Sequence, residues 1–132
     1  MAITKINPDD MPDAGAMGYT QVTTAQPGTM IFLSGQVGWS RDGTPVPEGL
    51  AEQAAIAVRN VERGLAAAGA SAADVTSMRI YVVGLTDDNA GDAYSPLPAF
   101  FGGQAPCVTM IGVSSLASPN LLVEMEVTAV KS

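Results

Sequence analysis

The hydrophobic period changes at Gly49, and that change constrains the fold more than any other feature of the chain. Leu50, Ala54, Val58, Val61, Leu65 and Ala68 recur in steps of three and four, while Glu48, Glu52, Arg59, Glu62 and Arg63 take the remaining faces. This spacing gathers apolar side chains on one stripe of a helix, and Gly69 stands where a helix ends in a left-handed C′ residue. A helix apolar on one stripe must lay it on another layer, and the flanking segments read as strands. Upstream, "YTQVTT" (19–24) and "TMIFLSG" (29–35), separated by the turn signal "AQPG", predict a hairpin. "QVGW" (36–39) predicts a third strand, closed by the Asp42-Gly43 turn. Downstream, residues 75–85, 107–113 and 121–130 are strand-like.

In the last of these, Leu121, Val123, Met125, Val127 and Ala129 share one face, and Leu122, Glu124, Glu126, Thr128 and Val130 share the other. In 75–85, Thr76, Met78, Ile80 and Val82 are assigned to one side and Ser77, Arg79 and Tyr81 to the other. A second helix is predicted between Asn89 and Phe101, capped by Ser95 with Pro96 at its first position. The predicted order is β-β-β-α-β-α-β-β. It gives a single α+β domain over 1–132: a six-stranded, mainly antiparallel sheet with two helices on one face. The opposite face mixes polar and apolar residues, which predicts self-association through it.

Composition narrows the chemistry. The 132 residues include no histidine and one cysteine, Cys107, so histidine-dependent triads are excluded and no metal site of the usual zinc kinds is expected. Chemistry is left to carboxylates, Tyr, Ser/Thr, Arg, backbone groups and water. A net charge of −7 with only six Lys and Arg argues against nucleic acid as a partner. No apolar run is long enough to span a bilayer, and the "MAITKINPDDMP" start lacks the apolar segment of a secretory signal. No membrane association and a cytoplasmic location are therefore expected.

Read from the residues alone, Tyr19 fits either a strand edge or a cleft, and Glu124 and Glu126 are ordinary solvated carboxylates. Cys107 reads as a small buried hydrophobe, since a nucleophilic thiol needs a cationic neighbour. Arg79 fits a surface or interface ion pair, with an anion anchor as the alternative reading.

Several segments together are more specific: "GYTQV" (18–22), "IFLSGQVGW" (31–39), "QAAIAVRNVERGLAAAGAS" (53–71), "DVTSMRIYVVGL" (74–85), "AFF" (99–101), "IGVSSL" (111–116) and "LLVEMEVTAV" (121–130). In this order they resemble, over nearly the whole chain, the Rid family of reactive intermediate and imine deaminases, also called YjgF-type. The resemblance implies a chorismate-mutase-like fold and a homotrimer with a central barrel. It further implies small-molecule sites between subunits and cofactor-free hydrolysis of imines or enamines such as 2-aminoacrylate. By position, Tyr19 matches the cleft tyrosine, Gly35 and Val37 match wall residues, and Glu124 matches the glutamate that holds the attacking water. An oriented water and a proton donor are what an imine needs, and a carboxylate and a phenol can supply both.

One departure bears on substrate. Where deaminating members read Pro-Ala-Arg at the start of the fifth strand, this chain reads Pro106-Cys107-Val108, so Val108 stands in place of the arginine that grips the substrate carboxylate. Losing a hydrogen bond to a charged group costs roughly 1.5–3 kcal/mol, so 2-aminoacrylate is expected to be a poor substrate. Cys107, Val108, Thr109 and Met110, with Arg79 as a relocated anchor, are the expected substrate-binding positions beside Gly35 and Val37. Asn89 and Tyr94 are both candidates for a cleft asparagine of some relatives. The expected function is an altered imine- or enamine-type hydrolase or tautomerase. The alternative is a non-catalytic ligand- or partner-binding trimer.

Overall fold

The computed structural model describes residues 3–132. In chain order the elements are β1 (Ile3–Ile6), α1 (Ala14–Met17), β2 (Val22–Ala25), β3 (Thr29–Gln36), α2 (Leu50–Ala67), β4 (Val75–Val83), α3 (Ala90–Tyr94), α4 (Leu97–Phe100), β5 (Cys107–Val113) and β6 (Val123–Lys131), with a 3-10 turn at Ala72–Asp74 before β4. The class is α+β, but the six strands do not form one sheet. β3-β6-β4-β5 make a four-stranded sheet, and β1 pairs with β2 in a separate two-stranded ribbon.

The predicted hairpin of residues 19–35 is thus absent: β2 runs antiparallel to β1, Ile3 opposite Ala25, while β3 pairs with the distant β6. Both partners lie far from the "AQPG" turn in sequence, so local turn chemistry could not reveal them. "QVGW" is not a strand. Beyond Gln36 the backbone leaves the sheet, and Asn60 on α2 donates to the carbonyls of Val37 and Trp39 at 3.2 and 2.9 Å. β4 and β6 are antiparallel, whereas β4 and β5 are parallel, with Met78 opposite Val108 and Arg79 opposite Thr109.

The predicted second helix is two short ones. Ser95 closes α3 instead of opening α4, and Pro96 is the N-cap of α4. Proline has no N–H to contribute to a continuing helix, so the break falls where the sequence carries Pro96 and Pro98.

α2 matches the predicted stripe except at its last member: Ala54, Val58, Val61 and Leu65 are buried, whereas Ala68 is the exposed C-cap, followed by Gly69 (φ +77°). The buried residues pack on Ile31, Met78, Ile80, Val82, Val123, Met125, Val127 and Ala129. The alternation expected in β6 holds from Val123 to Ala129, after which Val130 is buried as well. In β4, Val75 rather than Thr76 is buried, because a register irregularity between Val75 and Ser77 reverses the parity at the start of the strand. Gly64 lets α2 approach β3, since a Cβ there would lie 2.8 Å from Leu33 Cδ2. The opposite face of the sheet is open: Phe32 is 72% and Met30 57% exposed on β3, alongside Arg79 and Glu126.

Candidate functional site

Two groups of side chains are set apart by the sheet. The first surrounds a cavity of about 400 Å³ lined by Met17, Tyr19, Tyr94, Val108 and Met110 and floored by the small residues Ala90 and Gly91. Val108 and Met110 alternate on β5 on the side that also packs against the core. Tyr19 reaches the cavity because α1 ends at Gly18 (φ +86°), a left-handed conformation open to glycine. Its own N–H then donates to Ala14 O at 3.1 Å. Tyr94 on α3 donates its hydroxyl to Gly18 O and so ties α3 to the turn that presents Tyr19. Burial raises the Tyr94 pKa above the ordinary tyrosine value, so the phenol stays protonated and able to donate.

The second group lies on the open face. Glu124 passes over Gly35, and any Cβ at Gly35 would fall on the Glu124 carboxylate. Gly35 sits within the register irregularity between Leu33 and Gln36, a bulge that bends β3 at this point. Next to it, Arg79 Nη1 is 3.6 Å from Glu126 Oε1, and the Tyr81 hydroxyl donates to the same oxygen at 3.1 Å. That hydrogen bond, with desolvation and the negative charge of Glu126 acting the same way, raises the Tyr81 pKa; Arg79 opposes it. Thr109 is opposite Arg79 on β5.

The expected site residues therefore divide. Tyr19, Val108 and Met110 share the cavity; Gly35 and Glu124 are in contact on the other face, with Arg79 and Thr109 farther along it. Cys107 belongs to neither group: its Sγ is 3.1 Å from Thr23 Oγ1 and 3.5 Å from Gln21 O, so the thiol stitches β5 to β2. Val37 is buried in the loop after β3. Asn89 is occupied in a local turn, accepting from Thr86 N at 2.8 Å and donating to Gly84 O at 2.9 Å. Among the described residues no group of His, Cys, Asp and Glu could hold a metal ion, and no helix is long and apolar enough to cross a membrane.

Sequence reasoning missed Met17 and the Tyr81–Glu126 bond. Nothing local marks Met17, whereas Tyr81 was readable once β4 was placed beside β6 with Arg79 opposite Glu126.

Comparison with known proteins decides the family. The family model described as "Endoribonuclease L-PSP" matches residues 10–131. The chain belongs to the Rid, or YjgF-type, family. A Rid family protein of Yersinia pestis, YyfB, described as of unknown function, superposes with a TM-score of 0.93 at 33% identity, covering 99% of this chain and 100% of that one. Protein MMF1 of Saccharomyces cerevisiae, described as mitochondrial, is 27% identical over 98% of this chain and 85% of its own length. A RutC family protein of Pyrococcus abyssi is 31% identical over 79% of this chain and 80% of its own length. These likenesses cover both site groups, since the matched residues run from before Tyr19 to beyond Glu124.

Proposed function

We propose that this Rid-family chain acts on a small imine, enamine or enol-type metabolite, without a cofactor, in a cleft assembled between copies of the chain. In that cleft Tyr19 of one copy supplies the phenol and Glu124 of the next orients the attacking water. Glu124 and Tyr19 lie on opposite faces of the sheet within one chain, so a joint role requires a second copy. The open face, with Phe32 and Met30 exposed, is the surface on which a homotrimer would close.

The observation that carries the reading is that Val108 and Tyr19 line the same cavity, and that no Lys or Arg lines it with them. An aliphatic wall there disfavours a bare carboxylate, so 2-aminoacrylate is turned over weakly or not at all. Gly35, Val37, Thr109 and Met110 complete the proposed walls; Cys107 braces the strand that carries Val108, and Arg79 serves the open face.

The test is turnover of 2-aminoacrylate by wild type, Val108→Arg and Glu124→Gln proteins. The arginine variant should gain roughly tenfold or more in kcat/KM, the worth of one charge-assisted contact. Glu124→Gln in that background should lose about a hundredfold or more. Efficient turnover by wild type with no gain from arginine would overturn the reading. Ligand binding that survives Glu124→Gln, with no turnover in any variant, would establish the binding-protein alternative instead. RNA cleavage, the activity in the family description, is disfavoured by the −7 charge.

A further inference from the structure

A second cavity, of about 270 Å³, lies on the other side of Tyr19, and its chemistry is the reverse of the first. Its lining includes Lys5 from β1, Asn7 just beyond it, Thr20 beside Tyr19, and Gln104 from the loop before β5. Lys5 Nζ donates to Gln104 O. An ammonium carries three donors, and no Asp or Glu of the described residues lies within salt-bridge distance of this one. Asn7 accepts from Gln21 N at 2.8 Å through its oxygen, which leaves its amide nitrogen directed towards Gly15, another residue of the same lining. Thr20 Oγ1 is spent on Ala105 O at 2.6 Å. Asp13 Oδ1 accepts from Ala16 N at 3.2 Å and also borders the Gly15 edge of the cavity, 3.5 Å from where a Cβ on Gly15 would stand. Burial holds the Lys5 pKa below the ordinary lysine value.

We propose that this cavity is a carboxylate site, in which Lys5 and the Asn7 amide hold the acid group of a small organic monoacid against the back of Tyr19. A single ammonium with one neutral amide matches one negative charge; a phosphate dianion would leave charge unbalanced in a chain of net charge −7. The proposal does not depend on catalysis at Tyr19 or Glu124. It locates an anion-binding position on the far wall of the apolar cavity, where Val108 offers none.

The experiment is an NMR titration of the full-length protein with propionate, its uncharged counterpart propionamide, and inorganic phosphate. The Asn7 side-chain amide and the Gly15 and Gly103 backbone signals should shift saturably with propionate and stay unmoved by propionamide. Lys5→Gln should weaken propionate about tenfold or more, and Lys5→Arg should retain it. If Lys5→Gln lowers the melting temperature, the response of the Asn7 amide in the wild-type protein still decides. Equal shifts from propionamide, full affinity in a folded Lys5→Gln, or tighter binding of phosphate than of propionate would each overturn the proposal. Glu124→Gln should titrate like wild type, so a failed titration here is distinct from a failed turnover assay there.

Discussion

The two faces of the four-stranded sheet solve different problems. On the helix side, β5 contributes Val108 and Met110 to a cavity that also holds two phenols. On the open side, β6 contributes Glu124 and Glu126 to a surface of exposed Phe32 and Arg79 and half-buried Tyr81. A strand reverses the face of its side chains at every residue, so one sheet can hold an acid and an apolar pocket close in sequence yet separate in space. The acid is pinned by packing, through Gly35; the phenol is pinned by a turn, through Gly18 and Tyr94. That difference predicts where the molecule can be broken without unfolding it.

The largest effect should come from Gln53, a fully buried amide on α2. It donates to Pro47 O and Asn120 O at 2.8 and 2.9 Å and accepts from Leu122 N at 2.8 Å, so it fixes the entry of β6 and with it the height of Glu124. Gln53→Leu fits the space yet strands three backbone groups, and should cost roughly 3 kcal/mol in denaturant unfolding. A loss below about 1 kcal/mol would mean that β6 is held by its ladder alone.

Gly35→Ala comes next and separates the faces. Its Cβ would claim the volume of the Glu124 carboxylate, so the side chain must swing away while the helix-side core is untouched. In the Val108→Arg background, turnover of 2-aminoacrylate should drop about a hundredfold, with a stability change near 1 kcal/mol. Unchanged turnover would show that the position of Glu124 over β3 is not used.

These two cases mark how much the sequence discloses. The α2 stripe and most of the β6 alternation were legible because their periods are strictly local, and Val108 was legible only through the family resemblance, which aligns it with an arginine. The pairing of β2 with β1, the parallel placement of β5 and the two-faced division of the site were not, because each depends on which distant strands meet. Gln53 sat inside a correctly read helix, yet its burial depends on backbone groups at Pro47, Asn120 and Leu122 that only the fold brings together.

Tyr94→Phe tests the cavity side more gently. It removes the hydroxyl that reaches Gly18 O while leaving the ring against the turn. The expected loss is about 1 kcal/mol, with the α1 amide protons exchanging faster and those of β6 unchanged. Loss of protection on both sides would show that the two faces are coupled rather than independent.

The smallest effect belongs to the open face and appears only at high pH. Tyr81 donates to Glu126, which raises its pKa in the folded chain above the unfolded value near 10. A raised pKa means the folded state holds the proton more tightly, so the stabilising contribution is complete below the unfolded pKa and is lost as pH climbs through the folded one. The change is small because the Glu126 and Arg79 side chains beside it are open to water. The difference between wild type and Tyr81→Phe isolates it: the two unfolding midpoints should converge as pH rises above about 10. A gap that stays constant with pH would show that the Tyr81–Glu126 bond contributes nothing in water. Arg79 and Glu126 would then be an ordinary exposed pair, worth well under 1 kcal/mol.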